Sequence, residues 1–289
     1  VSQLVTGRLP QRPERFRRLG PETVAATQPW SVAFVRGGRA VAAAGNDNRL
    51  RIRSLDGHSA QQMIIGDTPG ETRGSITVVS PDGKRLLAGR SCIDLGSGET
   101  LWKVAAPFPA ATLFLDGETI LVREQRLSVA TGLPTGTLRA TRERHLDMLV
   151  LSLALSGDGA TLASGDMHGN IVLTRVATGE PFATAHSRLR NVEALAFGRD
   201  CIAVGGDGDE VRLLSAHDLA LVGALAIPRG AGGASFWPET RCLAFAPDGV
   251  TLVAATRAKF PPAGANRQGE ARCESYLLVW DTTTRRERE

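Results

Sequence analysis

Six recurrences of one strand pattern, Asp-Gly turns within several of them and a spacing near forty residues predict an all-β fold, a β-propeller of four-stranded antiparallel blades. Six blades are recognisable and a partial N-terminal one precedes them, giving six or seven in total. Each unit runs as an apolar stretch, a polar turn, a second apolar stretch, a polar hairpin and a third. The units start near residues 31, 75, 111, 151, 192 and 242. The apolar residue before the first turn marks each one. Phe34, Val79, Phe114, Leu155, Phe197 and Phe245 hold that position, at intervals of 45, 35, 41, 42 and 48 residues.

Period-two alternation argues for strands within the units. Leu151, Leu153 and Leu155 share one face of the fourth unit's first strand, and Ile171 and Leu173 share one in its third. Pro81-Asp82-Gly83, Asp116-Gly117, Asp158-Gly159 and Pro247-Asp248-Gly249 supply residues that tolerate turn dihedrals. Glycine and β-branched residues recur too densely for helices. Inward alternation predicts a core of Leu153, Leu155, Leu162, Ile171, Leu173, Leu195, Phe197, Leu243, Phe245 and Leu278.

Residues 1–29 are expected to be a partial blade or ring-closing strand, and 30–289 the propeller. Leu4-Val5-Thr6-Gly7 repeats the pattern of Val129-Ala130-Thr131-Gly132, a turn between third and fourth strands. The chain opens on Val1, so a piece of a longer protein is expected. A hydrophobic content of 42% is enough to bury a core, and no apolar run reaches membrane-spanning length. The four cysteines have no zinc-like spacing, which predicts buried free thiols. The net charge of +4 gathers near the ends, from Arg8 to Arg18 and from Arg285 to Arg288. No aromatic ladder accompanies it, so nucleic acid is not the expected partner.

The pattern "apolar–SPDG–LASG–hairpin–I-x-L-W-D-x-x-TG" resembles the WD40 repeat family over residues 31 to 284. Trp280-Asp281 matches the dipeptide that names the family, and Asp47 matches its structural turn aspartate. Gly57-His58 echoes the family's Gly-His pair only by chance. The turn position of Asp47 holds His168 in the fourth unit and Gly208 in the fifth. The buried Asp–His–Ser–Trp hydrogen-bond set that the resemblance implies is therefore expected to be largely absent, as in a divergent, bacterial member. In this family the N-terminal strand can close the ring, which points to residues 8–18.

No catalytic residue, metal site or cofactor is predicted. Asp94 to Trp102 resembles the docking repeat of quinone-dependent dehydrogenases, but those carry it in blade after blade and here it occurs once. An ordinary turn with a core tryptophan is expected instead. Asp207-Gly208-Asp209-Glu210 lacks the spacing of a calcium loop. The histidines are scattered, and neither a Gly-x-Ser-x-Gly elbow nor a phosphate-binding loop occurs.

The leading function is therefore a non-catalytic protein–protein scaffold, as the docking or sensor module of a larger bacterial protein. A propeller enzyme or a carbohydrate- or ligand-binding propeller using the central channel is the alternative, with nucleic-acid binding third. The domain is expected to be monomeric, and the cytoplasm is the favoured compartment. Two long loops, Pro228 to Pro238 and Arg257 to Glu274, should rise on one side of the ring. Phe236, Trp237 and Phe260 are candidate anchors, with Arg257, Lys259, Arg267 and Arg272 around them, because interface hot spots favour aromatics and arginine.

Overall fold

The computed structural model describes residues 29–35, 40–45, 49–54, 60–64, 77–105, 111–138, 145, 149–227, 237–246, 248–260 and 272–287. Every regular element among them is a strand, and the 24 strands form six four-stranded antiparallel sheets. Sheet I holds β1 (Pro29–Val35), β2 (Ala40–Gly45), β3 (Arg49–Ser54) and β4 (Ala60–Ile64). Sheet II holds β5 (Thr77–Val79), β6 (Arg85–Ala88), β7 (Ser91–Asp94) and β8 (Thr100–Lys103). Sheet III holds β9 (Thr112–Phe114), β10 (Thr119–Val122), β11 (Gln125–Ser128) and β12 (Pro134–Thr137). Sheet IV is β13 (Val150–Leu155), β14 (Thr161–Asp166), β15 (Asn170–Arg175) and β16 (Pro181–His186). Sheet V is β17 (Ala194–Phe197), β18 (Cys201–Gly205), β19 (Glu210–Ser215) and β20 (Leu221–Ala226). Sheet VI is β21 (Trp237–Phe245), β22 (Thr251–Phe260), β23 (Arg272–Asp281) and β24 (Arg286–Glu287).

The sequence reads as one continuous array, whereas the structure divides into two compact units, residues 1–137 and 138–289. Within each, the first strands of successive sheets adjoin: β1, β5 and β9 in one unit, β13, β17 and β21 in the other. Each sheet is a simple meander, the arrangement that a repeated propeller blade takes.

The turns form where the residues allow them. In sheets II and IV the hydroxyl of Ser80 or Ser156 donates to the carboxylate of Asp82 or Asp158. The same carboxylates accept from the amides of Lys84 and Ala160, and this closes the turn between first and second strands. Asp94 caps the turn after β7 by accepting from the amides of Gly96 and Ser97. Trp102 packs at the edge of a core cluster and its indole N–H donates to Val129 O at 2.9 Å, tying sheet II to sheet III. Asp94 and Trp102 thus have the turn and packing roles expected of them.

Hydrophobic clusters fill the spaces between neighbouring sheets. Ala154, Ile171, Leu173, Ile202 and Val204 lie between sheets IV and V, and Val211, Leu213, Leu252, Leu278 and Trp280 between V and VI. Leu162, Ile171, Leu173, Leu195, Leu243 and Leu278 are buried as expected. Leu153, Leu155, Phe197 and Phe245 are only half-buried. In β13 the buried face is Val150, Ser152 and Ala154, opposite the leucines. Both faces of β13 carry apolar residues, and alternation alone cannot rank them. The face toward sheet V takes small residues because the backbones close in there: a Cβ on Gly165 would strike Val192.

Trp280 is buried between sheets V and VI, and Asp281 caps the turn into β24 by accepting from the amides of Thr283 and Thr284. Asp47 and residues 1–28 lie outside the described residues, as does any closure by residues 8–18. The fourth strand of sheet VI comes from Arg286 and Glu287, which pair with Asp281 and Trp280. Cys92 is buried, Cys201 half-buried and Cys242 exposed, and all three are free thiols. Cys242 thus departs from the expected burial.

Candidate functional site

Sheet VI is longer than its neighbours. Its strands β22 and β23 have ten residues each, against six in β14 and β15 of sheet IV. The extra four residues carry the ladder about 13 Å further at roughly 3.3 Å per residue. The sequence expectation of a loop from Arg257 to Glu274 is corrected here. Residues 257–260 and 272–274 are strand, paired from Arg257↔Ser275 through Ala258↔Glu274 and Lys259↔Cys273 to Phe260↔Arg272. Continuing the antiparallel ladder pairs backbone groups of β22 with β21 on one side and β23 on the other, and the described pairing runs on to Phe260 and Arg272.

Trp237 and Pro238 likewise begin β21 rather than end a loop, with Trp237 opposite Lys259 and Pro238 opposite Ala258. Proline is accepted because β21 is the sheet's first, edge strand. The register therefore gathers Trp237, Arg257, Lys259, Phe260 and Arg272 at one end of sheet VI. Phe236 and Arg267 lie outside the described residues.

The root of this extension is bonded to sheet V. Gly208 N donates to Pro238 O at 3.1 Å and Thr240 N to Gly206 O at 3.0 Å, so the β18–β19 hairpin joins β21. Gly205 and Gly206 permit the approach: a Cβ on Gly205 would sit 2.5 Å from Thr240 Cγ2, and one on Gly206 would strike Asn191 O. A polar chain runs across the seam. Asn191 accepts from the Asp207 amide and donates to Glu193, and Glu193 pairs with Arg241 at 2.6 Å. Arg241 in turn donates to Glu239 at 2.6 Å. Burial pushes the Glu193 carboxyl above its usual range; Arg241 opposes that, and the charges of Asp207 and Glu239 reinforce it.

A second polar group lies inside sheet IV. His145 Nδ1 is 2.9 Å from Asp166 Oδ2, and its Nε2 is 2.8 Å from Ser164 Oγ. A carboxylate only accepts, so Nδ1 donates; in the neutral ring Nε2 then accepts the Ser164 proton. Asp166 also accepts from the amides of His168 and Asn170 and from the Asn170 side chain. Burial would raise the Asp166 pKa, but these bonds outweigh it and hold the group below the usual carboxylate range. The expectation that such a buried Asp–His–Ser set is largely absent is thus overturned in sheet IV. The turn position does carry His168, and an aspartate two residues earlier takes the carboxylate's place. The order Ser–His–Asp matches that of a nucleophilic triad; His145, Ser164 and Asp166 are all buried, and the bonds of Asp166 hold the hairpin. Burial also lifts the Cys92 thiol to about 11, which keeps it protonated near neutral pH.

Sequence reasoning missed both polar groups. The usable signal for His145 was its place just ahead of a unit's first strand, with an aspartate in that unit's hairpin. Among the described residues no cluster of three or more His, Cys, Asp or Glu side chains is arranged to hold a metal ion. Nor is any helix there long and apolar enough to cross a membrane. Fold and site together define a class, the all-β repeat proteins built of four-stranded antiparallel sheets. No protein-family model and no curated protein matches the chain.

Proposed function

We propose that the chain is a divergent WD40-like β-propeller of bacterial type, its six sheets serving as blades, and that it is a non-catalytic protein–protein docking module. The observation that carries this reading is the extension of β21, β22 and β23 beyond the length of the other sheets. A ladder lengthened at one end carries strand beyond the ends of the neighbouring sheets and supplies a projecting surface, its root held to sheet V. Its register sets Trp237 opposite Lys259 and Phe260 opposite Arg272, with Arg257 two residues along β22 from Lys259. Aromatic and arginine side chains supply most of the energy of protein interfaces. The bonds from the β18–β19 hairpin brace the root, and pre-organisation of that kind lowers the cost of binding.

A ligand-binding reading is favoured by one observation, the carboxylates of Glu193, Asp207 and Glu239 beside the inner strands. Arg241 pairs with two of them, Glu193 and Glu239, so the cluster's evident use is to tie sheets V and VI together.

The test uses the intact chain as bait, then titrates the recovered partner against Trp237→Ala and a hairpin shortened by removing 257–274. A hot-spot truncation weakens binding by about thirtyfold, or about 2 kcal/mol, while the fold persists. Unchanged affinity in both folded variants places the docking site elsewhere.

A further inference from the structure

We propose that the hairpin end of sheet IV is a separate docking surface for a protein segment presenting a large apolar side chain next to a carboxylate. The inference goes beyond the sheet VI extension and stands whether or not that extension binds. Leu149, 40% exposed, and Met167, 44% exposed, lie side by side there, with Met167 N donating to Leu149 O at 3.1 Å. The corresponding positions in sheet V, counted from the marker residues and the paired glycines, hold Asn191 and Asp207. The fold therefore requires no apolar side chain at either place. Two large apolar groups left together in water are the usual centre of an interface, and methionine adapts to varied partners.

A cation stands on the loop bonded to the same hairpin. Arg188 is exposed and has a φ of 61°, in the left-handed region that favours glycine. Its loop is locked onto the hairpin that carries Met167. Ser187 N donates to Gly169 O, Leu189 N to Ser187 Oγ, and Arg188 N to His186 Nδ1, while Ser187 and Leu189 are buried. The chain thus keeps a long cation where the backbone would be less strained with glycine, on a rigid support.

Charge sets the partner's chemistry. The other exposed ionisable groups of this end are His168, His186 and Arg190, and its one carboxylate among the described residues, Asp166, is buried. A partner carboxylate is attracted here. A segment acidic along its whole length is disfavoured by Asp207 at the equivalent hairpin of sheet V, Glu193 and Glu239 being paired with Arg241. The acidic group has to be local, next to the apolar residue.

The test is selection from a random-peptide display library on the intact chain, followed by titration of a synthetic consensus peptide. The expected consensus pairs an aromatic or aliphatic residue with Asp or Glu. Met167→Asp and Arg188→Gly should each weaken it about tenfold or more, while Trp237→Ala leaves it unchanged. Arg188→Gly relieves the backbone, so its unfolding midpoint should equal or exceed the parent's, separating lost contact from lost fold. No enriched sequence, a Lys/Arg-rich consensus, or affinity indifferent to both substitutions would overturn the proposal. Loss with Trp237→Ala alone would overturn it too, and would support the sheet VI site.

Discussion

Sheets IV and VI place very different residues at one equivalent position. After β14 enters its hairpin stands Asp166, buried and bonded to His145, His168 and Asn170. The matching residue of β22 is Thr256, also buried, whose hydroxyl has no hydrogen-bond partner among the described residues. Sheet IV ends its hairpin there and closes it with a polar knot. Among the described residues sheet VI shows no such knot, and it runs its ladder on through Phe260. In sheet IV the carboxylate gathers the amides of the turn where the strands end, whereas in sheet VI the ladder itself takes up the backbone groups beyond the same point.

The sharpest way to break that comparison is Asp166→Ala. It strips His145, Asn170 and two backbone amides of their acceptor in a buried site, which should cost about 3–5 kcal/mol in denaturant unfolding. A cost under about 1 kcal/mol would show that the knot is not what holds the hairpin. Phe245→Ala comes next, at about 2–3 kcal/mol, below the range for a fully buried ring because Phe245 is half-buried. Phe245 fills the space that Gly198 leaves, where a Cβ would lie 2.7 Å from Phe245 Cζ.

Acid should separate the two regions by sign. Asp166 has its folded pKa depressed below 3.8, so its contribution is present above the unfolded value and is lost as pH falls through the folded one. Glu193 has its folded pKa raised above 4.5, so its contribution is present below the unfolded value and is lost as pH rises through the folded one. Unfolding midpoints compared at about pH 7 and about pH 3 should show a smaller acid loss in Asp166→Asn than in the parent. Glu193→Gln should remove an opposing slope. The smallest effect is expected of Thr256→Val, an isosteric loss of an unpaired hydroxyl, which should change stability by less than about 1 kcal/mol, in the stabilising direction. A marked loss would mean that the hydroxyl has a partner and that sheet VI has a knot of its own.

Much of the fold was legible because period and turn chemistry are local. The marker residues, the Asp-Gly turns and the Trp280-Asp281 pair all point to repeated meanders, and each sits where its unit required. Burial was less legible in β13, where Leu151, Leu153 and Leu155 stand out in sequence but Ser152 and Ala154 make the close contact. The candidate docking residues were found by composition, while their setting was misread: Pro261, Pro262 and Gly264 suggested a loop through residues that in fact continue the ladder. His145 was hidden because its partners lie 19 and 21 residues away, and only the folded hairpin brings them together.

The most direct test of the docking account is amide hydrogen exchange on the intact chain, free and saturated with the partner it recovers as bait. Exchange should slow at 237–241, 256–260 and 272–276, with the β14–β15 hairpin of sheet IV as a second protected patch, and stay unchanged along the outer strands β8, β12, β16 and β20. Protection confined to those outer strands, with the sheet VI extension exchanging as fast as in the free chain, would contradict it.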